Sequence, residues 1–482
     1  MTSERLSLRE ACLELKIILA MAAPMTIAIV GFVAMEFVSI AILGHYGTQY
    51  LSGASLALAW TESTRVLLTS GAVGTLCSQA YGAGNLQLVG IWFQIALVVG
   101  FLVSVPVALG NFLTETVLQP FGYEEAQLEL AQRFATLITV GVVPQMVFER
   151  FFRYLQAINV VMPTMLTLLG TVCVYAAIAV PLVFGAFGWR GLGFDGAPLA
   201  VSFSAWLEVG LLWLLACRLG RKHESTWPGW RCLQEVTWPR VRQYLRLYVP
   251  NVLQAGSECW RFQLLSAFAG LIGEVELSAH IIGFRVIFIG YICVFALSMA
   301  GTQRVGSALG ANRPAVAKHS CWVGATFAVC CALAVGALIT KYREAFARIF
   351  TTDPELIAVC TLLAPKIAVA QLFMTLGDYF NPMLNTQGRP NASLTSSFIS
   401  SWLGHVPICY ILTFQIYKDE TPSQRISWLW VGVCIGYFAQ CSLAVLFVAC
   451  SDWPKLAQSA RQVNEVRDIA ADEGLGVSLQ QP

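Results

Sequence analysis

The sequence predicts an all-α membrane protein in which twelve transmembrane helices form two pseudo-symmetric six-helix bundles. Three observations predict it: an apolar composition poor in charge, a series of hydrophobic runs long enough to cross a bilayer, and a repeat that lays one half of the chain over the other. Of 482 residues, 57% are hydrophobic and 12% are charged, whereas soluble domains carry roughly 25% charged residues. Residues 91–113 and 320–340 illustrate the runs, since a hydrocarbon core of roughly 30 Å takes about 20 helical residues. The short alternating segments of a β-barrel are absent from the sequence, which leaves helices as the spanning structure.

Spans are expected near residues 17–43, 51–75, 90–113, 131–149, 162–185, 197–217, 244–268, 277–302, 319–340, 356–381, 392–415 and 427–450. Residues 1–16 form a polar lead with Ser3, Glu4, Arg5, Arg9 and Glu10, without the small-residue cleavage site of a secretory signal, so the first span is read as an uncleaved anchor. A linker at 218–243, carrying Arg221, Lys222, Arg231 and Arg240, separates a first lobe (17–217) from a second (244–450). The tail, 451–482, is expected to hold a short helix followed by disorder around Asp472-Glu473-Gly474.

Even-numbered loops and the two termini carry 19 Lys and Arg against 7 in the odd-numbered loops. This bias puts both termini and the linker in the cytoplasm. The net charge of +2 gives no footprint for nucleic acid. Fifteen cysteines lie scattered, mostly in spans, without metal-ligand spacing, so neither a metal site nor a disulfide framework is expected. No phosphate-binding loop, nucleophile elbow or metal-spaced His cluster is present in the sequence, and neither an enzyme nor an ATP-driven pump is expected.

The repeat is read at an offset of 226, with Pro24 over Pro250 and Leu51-Ser52 over Leu277-Ser278. It continues at 228 with Tyr81-Gly82-Ala83 over Leu309-Gly310-Ala311, and at 229 with residues 155–158 over 384–387. Repeats of six helices lie parallel about an axis along the membrane normal, and a cleft between them can rock open to either side. Gly82, Gly84 and Gly310 are read as packing and turn residues rather than a site.

At these positions the sequence resembles the multidrug and toxic compound extrusion (MATE) family of cation-coupled antiporters, most closely its eukaryotic branch. The resemblance rests on Gly44-His45-Tyr46-Gly47 with residues 51–57, on residues 75–85, on Arg304-Val305-Gly306-Ser307-Ala308-Leu309-Gly310-Ala311, and on Pro250 with Glu258-Cys259-Trp260. It implies alternating-access export of a small organic solute (drug, toxin or metabolite) against protons or sodium ions, with no cofactor beyond that gradient. A monomer in the lipid bilayer is expected, in the plasma membrane or an endomembrane. Two alternatives remain: a lipid-linked glycan flippase, which would show a large basic cavity, and a scaffold or receptor that does not transport.

Ionisable groups inside a span cost about 3 kcal/mol or more and are functional candidates by default. Glu258, about two turns past Pro250, matches the family's acid before a Cys/Trp step and is the leading carrier; its alternative is an ion pair with Arg261. Asp378 is its expected partner, one turn beyond where the family places an acid, or else a turn residue at a helix end. Glu36, Glu62, Arg65, Arg261, Gln263 and Arg285 are candidates for lining the cavity. Animal relatives carry acids where this chain has Gln263 and Arg285; with Arg261 and Lys366 the second half sums positive if all are ionised, which favours an anionic solute unless the cations reach an interface. Glu62 and Arg65 suit a structural bridge, Glu149 and Glu208 suit interfacial positions, and His405 suits a buried imidazole.

Overall fold

The computed structural model describes residues 8–69, 71–186, 188–227 and 235–465; the Ser3–Arg5 cluster, Arg231 and Asp472–Gly474 lie outside them. All named elements among the described residues are helical and make twelve crossings. In the first bundle these are α1 (Leu8–Tyr46), α2 with α3 (Thr48–Arg65, Gly71–Gly82), α4 (Leu86–Phe112), α6 with α7 (Glu125–Ile138, Val142–Ala157), α8 (Met162–Phe184) and α9 (Gly196–Trp213). The short α5 (Thr114–Leu118) lies in the connection after α4. The second bundle holds α10 (Trp238–Ile272), α11 (Glu274–Gly310), α12 (Pro314–Lys341), α14 (Pro354–Thr386), α15 with α16 (Pro390–Ile399, Val406–Tyr410) and α17 (Pro422–Ala449). A short α13 (Arg343–Phe350) joins α12 to α14, and α18 (Trp453–Glu465) follows the last crossing.

Ten of the crossings are apolar enough to span a membrane by length and composition among the described residues. The other two, α2 with α3 and α10, carry Glu62, Arg65, Glu258 and Arg261, which lower their hydropathy. Local chemistry marks the helix starts. Asn85 accepts from the Leu88 amide at 3.1 Å, Asp353 accepts from the Glu355 amide at 3.0 Å, and Thr421 with Gln424 forms a capping box. Proline stands in the first turn of α10, α12, α14, α15 and α17, where its missing N–H costs nothing.

Two helix boundaries that bear on the site differ from the sequence reading. Helix α10 begins at Trp238, inside the expected linker, because Arg240 and Arg242 lower the hydropathy of its first turns without breaking the helix. Helix α7 continues to Ala157, which carries Arg150 and Arg153 into the protein instead of an inner loop. Helices α1, α10 and α14 run unbroken through Pro24, Pro250 and Pro382.

In the second crossing α2 gives way at Arg65 to a 3-10 turn over Val66–Leu68 and to extended backbone at Thr69. Carbonyls released in a membrane interior need donors. The Tyr248 hydroxyl donates to Leu67 O. Arg150, fully buried, donates through Nη1 to Leu68 O at 3.2 Å and through Nε to Ala96 O at 2.9 Å.

The bundles meet at the end of the molecule where α1 begins, and they meet reciprocally. Ile18, Ala22 and Met25 of α1 share a core with Val305, Ala308 and Leu309 of the second bundle. Tyr244 and Tyr248 of α10 share a core with Ala72, Leu76 and Leu88 of the first. Ile18 and Ala22 lie 226 positions before Tyr244 and Tyr248, so each bundle lends the start of its first helix to the other. Gly82 and Gly310 repeat the pattern. A Cβ at Gly82 would collide with the Ser307 backbone, and one at Gly310 with the Gln79 backbone. Only glycine allows so close an approach of two helices.

Candidate functional site

A cavity of about 550 Å³ lies beyond this seal, bounded by α1 from Ile29 onward, by α2, α7, α9 and, from the second bundle, α11. Its surface is mostly apolar, with Phe134, Phe148, Phe152, Phe288 and Phe295 among its walls. Among the described residues six acidic or basic side chains interrupt it: Glu62, Arg65, Glu149, Arg153, Glu208 and Arg285. Three are acidic and three basic, so these six side chains carry no net charge when ionised, unlike the large basic chamber of a flippase.

The helical register explains the placement. Glu62 and Arg65 close on each other one turn apart at 2.6 Å, at the end of α2 and on the cavity wall. Glu208 is 6% exposed and within electrostatic reach of Arg65. Glu149 and Glu208, expected at interfaces, therefore face the cavity; α7 and α9 extend past the span ends that hydropathy assigns. Arg153, one turn beyond Glu149, also lines it and feels Glu149 and Tyr291 electrostatically. Arg285 lines it from α11. The side chain of Glu36 lies outside the described residues.

Glu258, Asp378, Arg261 and Gln263 do not line this cavity. The first three belong to a polar cluster in the second bundle. Glu258 Oε1 accepts from Ser397 at 2.8 Å, from Gln440 Nε2 at 3.3 Å and from Gln254 Nε2 at 3.5 Å. Arg261, 6% exposed, donates to Gln440 Oε1 at 3.1 Å, to Ser401 at 3.3 Å and to the Tyr437 hydroxyl at 3.4 Å. The direct Glu258–Arg261 ion pair is replaced by the Gln440 amide, which holds the carboxylate with its NH2 and the guanidinium with its carbonyl. Arg261 also stacks over the Tyr437 ring, 4.9 Å from the centroid. It is thus a buried cluster member, whereas Gln263 is a half-buried residue of α10.

The serines of the eleventh crossing make this cluster. Ser393 donates to Gln254 Oε1 at 2.7 Å, and Asn381 Nδ2 donates to Ser397 Oγ at 3.2 Å. Between α15 and α16 the backbone adopts wide π-type turns over Ser400–His405, a distortion frequent at functional sites. His405 is buried with Nδ1 on Ser400 O at 2.9 Å. Asp378 sits within α14, well inside its end, so it is not a frayed turn residue; its carbonyl accepts from Ser298 at 3.3 Å. Tyr291 joins the two sites, lining the cavity and feeling Asp378, Glu258 and Arg153.

Twelve crossings in two repeated bundles, sealed at one end around a solute-sized cavity, define a membrane transporter rather than an enzyme. The MatE family model matches residues 24–182 and 250–411. The chain belongs to the MatE family, and it is a secondary transporter. It is 28% identical over 461 residues to human (Homo sapiens) Multidrug and toxin extrusion protein 1, covering 93% of this chain and 77% of that protein. It is 27% identical over 448 residues to Protein DETOXIFICATION 16 of Arabidopsis thaliana, covering 91% and 89%. The crystal structure of the eukaryotic MATE transporter AtDTX14 superposes with a TM-score of 0.85 at 22% identity, covering 94% and 99%. An outward-facing multidrug resistance MATE family transporter superposes with a TM-score of 0.78 at 16% identity, covering 93% and 96%.

Proposed function

We propose that this chain exports a small organic solute in exchange for protons by alternating access. Glu258 acts as the proton carrier and Asp378 as its partner. The observation that supports this reading is the placement of the Glu258 cluster behind Tyr291, which lines the cavity and feels Glu258 and Asp378 electrostatically. A carboxyl group in such a cluster exchanges a proton for bonds from Ser397 and Gln440, and the charge it gains or loses is felt at the cavity wall through Tyr291. With both termini in the cytoplasm, the sealed end is cytoplasmic and the cavity is open outward. The names of the relatives, multidrug and toxin extrusion and detoxification, support export of foreign or waste compounds. The protein works as a monomer in the plasma membrane or an endomembrane.

The test is flux in proteoliposomes across a screen of organic solutes, with an imposed proton gradient in one arm and a sodium gradient in the other. Proton-driven flux that falls at least tenfold in Glu258→Gln is expected. Unchanged flux in that variant, or flux driven by sodium alone, overturns the assignment.

A further inference from the structure

Resting on the reading of the cavity as the solute site, we propose that it takes an aromatic organic anion, with Arg153 holding the acidic group. Arg153 lines the cavity. Among the described residues its guanidinium has no hydrogen-bond or ion-pair partner, Glu149 and Tyr291 being felt electrostatically. A guanidinium presents five N–H donors in a planar fork that matches a carboxylate or sulfonate in two parallel bonds. In a low-dielectric pocket a charge without such a partner is costly. An acidic group on the solute supplies one.

The surroundings complete the site. Tyr291, within electrostatic reach of Arg153, adds a phenolic donor on the α11 wall, and Arg285 lines the cavity from the same helix. Among the described residues Glu149 is the carboxylate felt by Arg153. Glu62 is already paired with Arg65, and Glu208 feels Arg65. Phe148 and Phe152, with ring centroids 6.0 Å apart, and Phe288 and Phe295 on α11 offer apolar faces for an aromatic body. The rings accept either sign of charge; Arg153 selects the anion.

Two probes with one ring system and opposite charge decide it: 2-naphthoate and 2-naphthylmethylamine, titrated calorimetrically into the full chain in detergent without any ion gradient. The expected result is at least tenfold tighter binding of naphthoate, lost in Arg153→Gln while amine binding stays within twofold. Equal or tighter binding of the amine, no binding of either probe, or unchanged naphthoate affinity in the variant overturns the proposal. Should Arg153→Gln lack a cooperative melt, Tyr291→Phe serves instead, with about threefold weaker naphthoate binding expected and no change counting against the site. Naphthoate binding without proton-driven flux would overturn only the antiport reading, and flux without anion preference only this one.

Discussion

Glu14 near the start of α1 and Arg304 near the end of α11 form a two-pronged ion pair between the bundles, at 2.6 and 3.1 Å, with Ser320 adding a third bond to the carboxylate at 3.1 Å. Planar pairs of this kind are the stronger class of ionic contact. This one is partly exposed, with Arg304 at 31% and Glu14 at 17%, so about 1–2 kcal/mol is a reasonable worth. Glu14→Gln is therefore expected to open the sealed end. Spin labels at Ala83 and Ala311 should report, by electron–electron distance measurement, a second and longer population roughly 5–30 times more abundant than before. Arg304→Gln should do the same, and the double variant should do no more.

Arg150 gives a prediction about stability. It feeds the Leu68 carbonyl at the break in the second crossing and the Ala96 carbonyl inside α4, and Arg150→Leu would leave the Leu68 acceptor without this donor. A loss of about 1–3 kcal/mol is expected for an acceptor so stranded. A Tm within a degree of the parent protein would show that water or another donor takes over.

Gly82→Ala and Gly310→Ala should behave as a matched pair. Each adds a methyl group against a backbone rather than a flexible side chain, at a cost of about 1–3 kcal/mol. Both are expected to weaken the sealed form to a similar degree in the same distance measurement, with helicity by circular dichroism unchanged.

Gln440 ties Glu258 to Arg261. Gln440→Leu keeps the volume and removes both bonds. Proton-driven flux is expected to drop about tenfold, since one charged hydrogen bond is worth roughly 1.5–3 kcal/mol. Normal flux would show that the amide only fills space.

Helix α18 supplies a fifth test. Trp453, Ala457 and Ala460 recur on one face and are buried in the core shared with α11 and α12. Trp453→Ala is expected to cost about 3–5 kcal/mol, read as a lower melting temperature.

The twelve crossings, the repeat and the Glu62–Arg65 pair were legible because each is written in hydropathy, spacing or helical register. The cavity wall was less so. Arg150, Arg153, Glu149 and Glu208 sit where hydropathy falls, and a polar residue facing a cavity lowers it as effectively as a membrane exit does. Whether Arg261 pairs with Glu258 or with Gln440 depends on contacts about 180 residues apart in the chain, which spacing along one helix cannot show. The placement of Arg153 beyond the expected end of the fourth span could have been found from Phe148, Phe151 and Phe152, whose aromatic run continues the helix past Glu149.

The exchanged starts of α1 and α10 bear on how the molecule can move. Tyr244 and Tyr248 are embedded in one core while Ile18 and Ala22 are embedded in the other, like two hands each gripping the opposite wrist. Separating the two bundles at this end requires both helix starts to be withdrawn, each from the opposite core. Evolution can then tune the lifetime of the closed form at either grip, far from whatever the cavity carries.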